Sequence, residues 1–322
     1  MQAIQMQQPG GFDVLKLVEL PTPSPGPTEV RIKAHAIGVS MPEVMVRKGI
    51  YHWMPPMPTV PGIEMSGVID AVGAKVAKLK VGQPVFASAR EFKERGGCYA
   101  QYLVAQEHTV YPLPAGIDLD LAACLSNYQV AWHLLNTALQ GFQYRSVLVL
   151  AAAGGVGSAL IQLAKADGKR VIGLTSSDEK VKFALAQGAD AVVNYRTNTP
   201  TEKVDLILDP VGGEGTGPLF DLLNPFGMLM LYGSLQGVPD AKSVMDGIRR
   251  PPIRSLAFRQ FTMHTMDARP ELRAPATNEL IRLLSEGKIA PAIYKRLPLA
   301  EAARAHELLE GGKVLGKIIL KP

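Results

Sequence analysis

Residues 146–180 read S-V-L-V-L-A-A-A-G-G-V-G-S-A-L-I-Q-L-A-K-A-D-G-K-R-V-I-G-L-T-S-S-D-E-K. Val147 to Leu150 make an apolar strand, a glycine-rich turn follows, and the apolar spacing predicts an amphipathic helix from about Ser158 to Ala166. Gly168 stops that helix and a second strand begins at Val171. Strand, glycine turn, helix and strand in this order are the opening βαβ unit of a dinucleotide-binding domain. Gly154 and Gly157 let the backbone turn tightly and approach a pyrophosphate, and the helix N-terminus offers unpaired N–H groups to the anion.

The end of the second strand selects the cofactor. A domain that binds NAD places Asp or Glu about 20 residues beyond the glycines to accept from the ribose 2′-hydroxyl. Val171 to Ser177 holds no acid. Thr175, Ser176 and Ser177 offer hydroxyls instead, with Lys180 one turn further on, a set suited to a 2′-phosphate. NADPH is therefore the expected cofactor. The same residues have a second use, because Ser176 and Glu179 also spell a capping box for the next helix.

A chain of 322 residues is long enough for two domains, and 47% hydrophobic with 20% charged residues supports a substantial core. No apolar run approaches 18 residues, and the opening M-Q-A-I-Q-M has no leader pattern, so a cytoplasmic protein without a membrane span is expected. Cys98 and Cys124 are too few for a four-cysteine zinc site and read as buried reduced thiols. The net charge of +5 is spread along the chain. Its densest basic segment, Arg249, Arg250 and Arg254, is broken by Pro251 and Pro252 and reads as a solvated loop rather than a nucleic-acid stripe.

The first 120 or so residues are rich in short strand patterns. Val30, Ile32, Ala34 and Ala36 alternate with polar residues, and strands are expected around 65–73, 84–89 and 98–104. From Asp118, which with Asp120 is a candidate helix cap, the character changes. Strands at 147–151, 171–175, 191–194, 204–209 and 227–233 alternate with helices, which implies a parallel sheet covered on both faces. The tail carries a helix near Asn278, another over Leu299 to Leu309, and a closing strand K-I-I-L. It is too short to fold alone and is expected to return to the N-terminal β domain.

Several further stretches carry a resemblance: V-P-G-I-E-M-S-G-V-I at 60–69, V-G-Q-P-V-F at 81–86, L-I-L-D-P-V-G-G at 206–213 and the closing A-H-E-L-L-E-G-G-K-V-L-G-K-I-I-L. With the glycine loop they resemble the medium-chain dehydrogenase/reductase superfamily, in its zinc-free, zeta-crystallin-like quinone oxidoreductase branch. The resemblance covers almost the whole chain. It implies an α/β protein: a GroES-like β domain from residues 1–122 and 267–322, and a Rossmann doubly wound parallel sheet, residues 123–266, that binds the cofactor facing the cleft. It also implies a homodimer, and the apolar segment around 250–267 is the candidate sheet edge for it.

Residue by residue, the resemblance places Gly154, Gly155, Val156 and Gly157 at the pyrophosphate, Thr175, Ser176 and Lys180 at the 2′-phosphate, and Tyr195 near the adenosine phosphate. Gly212, Gly233, Ser234, Phe261 and Lys317 follow along the cofactor, although Lys317 also reads as a solvated terminal lysine. Ser40 and Val130 fall near the nicotinamide, where the family usually has Asn and often Thr. Zinc-dependent relatives have Cys and a Gly-His-Glu motif where this chain has Ser40 and Gly62-Ile63-Glu64, so no catalytic metal is expected and Glu64 reads as a polar-network residue.

Without a Lewis acid, a quinone or a conjugated enone is an easier acceptor than an unactivated ketone, since the charge left by hydride addition delocalises. Tyr51 matches the position of a tyrosine in related enoyl reductases and is the candidate to protonate or hold the enolate. It also reads as a pocket wall within Y-H-W at 51–53. The implied function is NADPH-dependent reduction of quinones or α,β-unsaturated carbonyls. The alternative is a zeta-crystallin-like protein that binds NADPH or RNA with little turnover.

Overall fold

The computed structural model describes residues 1–322 and divides them into two units, residues 1–126 with 277–322, and residues 127–276. The expected divisions at 122/123 and 266/267 therefore move by four and ten residues. Ser126 stays with the first unit because its N–H is bound to the buried Glu64 carboxylate. The stretch before Thr277 stays with the second, where Arg273 pairs with Asp267.

The first unit opens with β1 (Gln2–Gln5), antiparallel to β2 (Lys16–Glu19). The alternation noted from Val30 onward becomes β3 (Glu29–Val39), with Val30, Ile32 and Ala36 fully buried. Helix α1 (Met41–Lys48) follows directly and ends on Gly49, whose φ of 74° is one that glycine adopts without strain. Then come β4 (Glu64–Val72), β5 (Pro84–Ser88), β6 (Tyr102–Gln106) and β7 (Val110–Pro112). Asp118 caps α2 (Leu119–Ala122) as expected, accepting from the N–H groups of Asp120 and Leu121, and α3 (Leu125–Trp132) leads into the second unit.

The second unit alternates strand and helix except between its third and fourth strands: β8 (Ser146–Leu150), α4 (Gly155–Ala166), β9 (Arg170–Thr175), α5 (Asp178–Ala186), β10 (Ala191–Asn194) and, with no helix between, β11 (Val204–Asp209). It continues with α6 (Thr216–Leu219), β12 (Leu223–Leu231), α7 (Ala241–Arg249) and β13 (Ala257–Gln260). All neighbouring strands are parallel, in the order β10-β9-β8-β11-β12-β13. The chain starts at the middle and winds outward first one way, then the other. The reversal between β8 and β11 is the switch point at which such sheets bind ligands.

The tail supplies α8 (Arg273–Ser285), β14 (Ile293–Pro298), α9 (Ala302–Glu310) and β15 (Lys317–Lys321). As expected, it returns to the β unit: β15 lies between β14 and β3 in a sheet ordered β14-β15-β3-β4-β5-β7, with β6 also on β3. Ile318, Ile319 and Leu320 are buried there. The architecture is the α/β one anticipated, a GroES-like β unit built from both ends of the chain and a Rossmann sheet between them.

Three local expectations change. Strand β14 was not anticipated, because I-Y-K-R-L-P shows no clean alternation. The segment 250–267 contributes only the four residues of β13 to the sheet edge. Arg254 is not a solvated loop residue: it is buried, and with Arg250 it pairs with Asp221. Cys98 and Cys124 are free and buried, and burial pushes both thiols up. No helix is long and apolar enough to cross a membrane.

Candidate cofactor site and a buried charge cluster

Parallel strands bring the second unit's candidate residues to one edge. The glycine loop follows β8, Ser176 follows β9, Tyr195 follows β10, Gly212 follows β11, Gly233 and Ser234 follow β12, and Phe261 follows β13. Every one lies beyond a strand's carboxyl end, where α/β sheets bind ligands. Helix α4 starts at Gly155, three residues before the sequence expectation, so Gly155, Val156 and Gly157 are its first turn. Their N–H groups have no intrahelical partner. The two glycines singled out from the sequence differ. A Cβ on Gly157 would lie 2.4 Å from the Ala151 carbonyl oxygen and 2.8 Å from Ala152 Cα, so Gly157 is needed for helix-to-strand packing. One on Gly154 would meet nothing closer than 3.4 Å.

At the end of β9 the competing uses of the three hydroxyls separate. The cap of α5 is Ser177, which accepts from the Lys180 N–H at 3.3 Å, and not Ser176. Ser176 is left to accept from Lys180 Nζ at 3.1 Å, so the two side chains expected at a phosphate stand together. Thr175 is 3% exposed with Oγ1 buried and unbonded, and its hydroxyl is not presented with them. Asp178, the nearest acid, accepts from Asn194 Nδ2 at 2.8 Å and is thereby turned to β10.

The remaining loops are fixed by a residue that sequence reasoning passed over. Asp209, 1% exposed, accepts from the N–H groups of Val211 at 2.7 Å and Gly212 at 3.2 Å and from the Thr216 hydroxyl at 3.1 Å. Its signal was present in L-I-L-D-P-V-G-G, an acid at a strand end before a turn. A Cβ on Gly233 would lie 2.5 Å from the Pro210 carbonyl oxygen, so the loops after β11 and β12 pack backbone to backbone. Tyr195 is half exposed, whereas Phe261 is 8% exposed and Val130, on α3, 9%. Phe261 and Val130 offer mostly packing surface.

In the first unit, folding gathers residues far apart in sequence. Lys317, at the start of β15, is 3% exposed and not a solvated terminal lysine. Its ammonium pairs with Glu64 Oε1 and donates to Ser40 Oγ, 277 positions away. Ser40 donates to the same Glu64 oxygen at 3.3 Å, and Glu64 Oε2 accepts from the Ser126 N–H at 2.9 Å. A Cβ on Gly38 would overlap the Glu64 carboxylate at 2.4 Å, so Gly38 makes the room this carboxylate occupies. Tyr51 is 7% exposed within this unit's apolar cluster, its ring 6.0 Å from that of Trp53.

Glu43, 1% exposed on α1, adds a second buried carboxyl. Its Oε1 accepts from the Ile63 N–H at 3.1 Å and its Oε2 has no partner. Desolvation, against the attraction of Lys317 and with the repulsion of Glu64, pushes it up to about 7. A carboxyl raised above its unfolded value near 4.5 stabilises the fold below that value. The contribution is lost as pH rises through about 7. Glu43→Gln is therefore expected to flatten a decline of as much as about 3 kcal/mol between those limits. Urea midpoints measured across this range check it, and equal slopes for both proteins would refute it.

A family profile described as zinc-binding dehydrogenase matches residues 187–320, and one described as alcohol dehydrogenase GroES-like domain matches residues 26–115. A quinone oxidoreductase of Mus musculus is 30% identical over 334 residues, covering 99% of this chain and 97% of its own. Among solved structures, an Escherichia coli quinone oxidoreductase complexed with NADPH aligns over 100% of both chains with a TM-score of 0.87 and 28% identity. A mycobacterial protein complexed with NADPH aligns over the same full lengths with a TM-score of 0.86 and 30% identity.

Proposed function

Since the chain belongs to the medium-chain dehydrogenase/reductase family, in its quinone oxidoreductase branch, we propose that it is an NADPH-dependent reductase of quinones or α,β-unsaturated carbonyls that works without a metal. The observation that carries the reading is the Ser176–Lys180 pair, left available because Ser177 takes the helix cap and Asp178 is tied to Asn194. An ammonium and a hydroxyl at the end of β9 suit a ribose 2′-phosphate, and the glycine loop and first turn of α4 suit the pyrophosphate. The solved relatives with NADPH support the same choice.

The donor set does not fit a catalytic zinc. Ser40 and Ile63 stand at two ligand positions, and the Lys317 ammonium already occupies the Glu64 and Ser40 oxygens. A cation placed there would meet another cation. NADPH, when bound, supplies the hydride. The protein's part is to orient it, exclude water and hold the oxygen on which charge develops, a role assigned to Tyr51. The test follows NADPH consumption with a panel of quinones and enones after exhaustive chelation. Turnover that survives chelation supports the reading, and loss restored by zinc overturns the metal-free part. Val130, which has no hydroxyl to donate, favours the second reading, a protein that binds NADPH or RNA with little turnover; binding without consumption on the whole panel would establish it.

Lys180→Ala and Ser176→Ala are expected to weaken NADPH by roughly 10- to 100-fold, the worth of charge-assisted hydrogen bonds, and to leave NADH nearly unchanged. Equal losses for both cofactors, in fluorescence titrations, would reduce the pair to a helix terminus.

The open edge of β13 is the proposed two-fold contact of a homodimer. Unpaired strand edges favour such pairing, and Phe258 and Ile253 on this segment are exposed. Light scattering at micromolar concentration is expected to give twice the mass of one chain; a monomer would contradict it.

A further inference from the structure

We propose that the buried Asp209 carboxylate is the fixed counter-charge of the oxidised cofactor: it favours NADP⁺ over NADPH at this site and so helps draw the hydride out. The inference rests on the NADPH reading above and adds to it a residue that sets which redox form is held.

Three carboxyl side chains are almost fully buried, those of Glu43, Glu64 and Asp209, and the fold settles the first two. Glu64 is paired with the Lys317 ammonium, and burial drives Glu43 towards its neutral form. Asp209 has no cation beside it: its partners are two backbone N–H groups and the Thr216 hydroxyl. A carboxyl that accepts from three donors is arranged for its ionised form. Buried charges are normally paired, because one left without a counter-charge is costly. The missing positive charge is therefore to be sought in what binds beside Asp209.

The order of the strands says which part of the cofactor that is. Ser176 and Lys180 follow β9 and the glycine loop follows β8, so the residues suited to the 2′-phosphate and the pyrophosphate mark two points along the carboxyl edge. A dinucleotide laid across the switch point continues in the same direction, over β11 and β12, with its nicotinamide half. Asp209 ends β11. The chain around it is firmly held. Leu235 and Gln236 donate N–H groups to the Pro210 and Val211 carbonyls, and Gly213 donates to the Gly237 carbonyl. The loops after β11 and β12 are thus one backbone-bonded body anchored on the carboxylate, and the charge is in place before any cofactor arrives.

The hydride takes both electrons of its C–H bond to the acceptor, which is reduced by two electrons, and the ring it leaves gains one positive charge. No proton passes through Asp209, which stays an anion throughout. NADP⁺ and NADPH share every phosphate and differ at the ring by that one charge. The ratio of their dissociation constants therefore reads the field at the ring, and the phosphate end cancels.

Asp209→Asn removes the charge and keeps the bonds. Oδ1 alone accepts from both N–H groups and remains a carbonyl oxygen, while the amide nitrogen replaces Oδ2 opposite the Thr216 hydroxyl, which turns to accept. Thr216→Val is the control, loosening the same turn without touching the charge. Fluorescence titration with NADPH, displacement by NADP⁺ and melting temperature are measured on all three proteins. Asp209→Asn is expected to weaken NADP⁺ roughly 10-fold more than NADPH, and Thr216→Val to change the ratio less than about twofold. Should Asp209→Asn not fold, Asp209→Ser, equally uncharged, decides. Equal losses for the two forms, or unchanged affinities, overturn the counter-charge and leave the NADPH site standing. A Thr216→Val ratio that shifts as far does the same. A parent protein that binds neither form overturns the NADPH reading and the inference with it.

Discussion

Replacing Lys317 with methionine is expected to lower stability by about 3–5 kcal/mol, as for other buried pairs broken on one side. Glu64 is fully buried and its carboxylate is arranged for charge, taking donors from Lys317, Ser40 and the Ser126 N–H. Methionine fills much of the lysine's volume, so the loss reads the stranded carboxylate more than a cavity. Adding Glu64→Gln is expected to recover most of it, because an amide needs no counter-charge. A double-mutant cycle in urea measures the coupling. A single-variant loss below about 1 kcal/mol would refute the weight given to this pair.

Tyr51→Phe is expected to lower turnover on enones by about 10²–10³, the usual consequence of removing one donor to a developing oxyanion. The ring sits in the apolar cluster of the first unit, and phenylalanine keeps that packing. NADPH affinity is therefore expected to hold. Quinones are expected to respond far less, because a reduced quinone is a stable anion. Steady-state kinetics on matched enone and quinone substrates separate the cases, and unchanged enone kinetics would reduce Tyr51 to a packing residue.

What could be read in the chain beforehand depended on how local each signal was. The β8–α4–β9 unit was legible because strand, glycine turn and helix follow one another within 35 residues. The cap of α5 was misread by one position. S-S-D-E offers two adjacent serines, and the capping-box spacing favours Ser176 over Ser177, yet pairing of Thr175 with Asn194 and the Asp178–Asn194 bond set where the helix begins. Of the Lys317–Glu64 pair only one half was legible: Glu64 reads as a polar-network residue, but 253 positions separate it from Lys317 and no local signal joins the two. Asp209 was a case between these, visible as a strand-end acid but without a stated task until its three donors were seen.

The position of β15 has a consequence for how the protein is made. The strand lies inside the first sheet, between β3 and β14, yet it leaves the ribosome after the whole of the second unit. Domains generally fold as units during synthesis, so the Rossmann sheet can close while the Ile37–Val39 end of β3 still lacks its partner strand and Glu64 lacks its lysine. That interval is when the nascent chain is open to strand pairing with its neighbours, and chaperone capture would act there. Pausing of translation between Ala276 and Lys317 would lengthen it, without altering a single residue of the finished molecule.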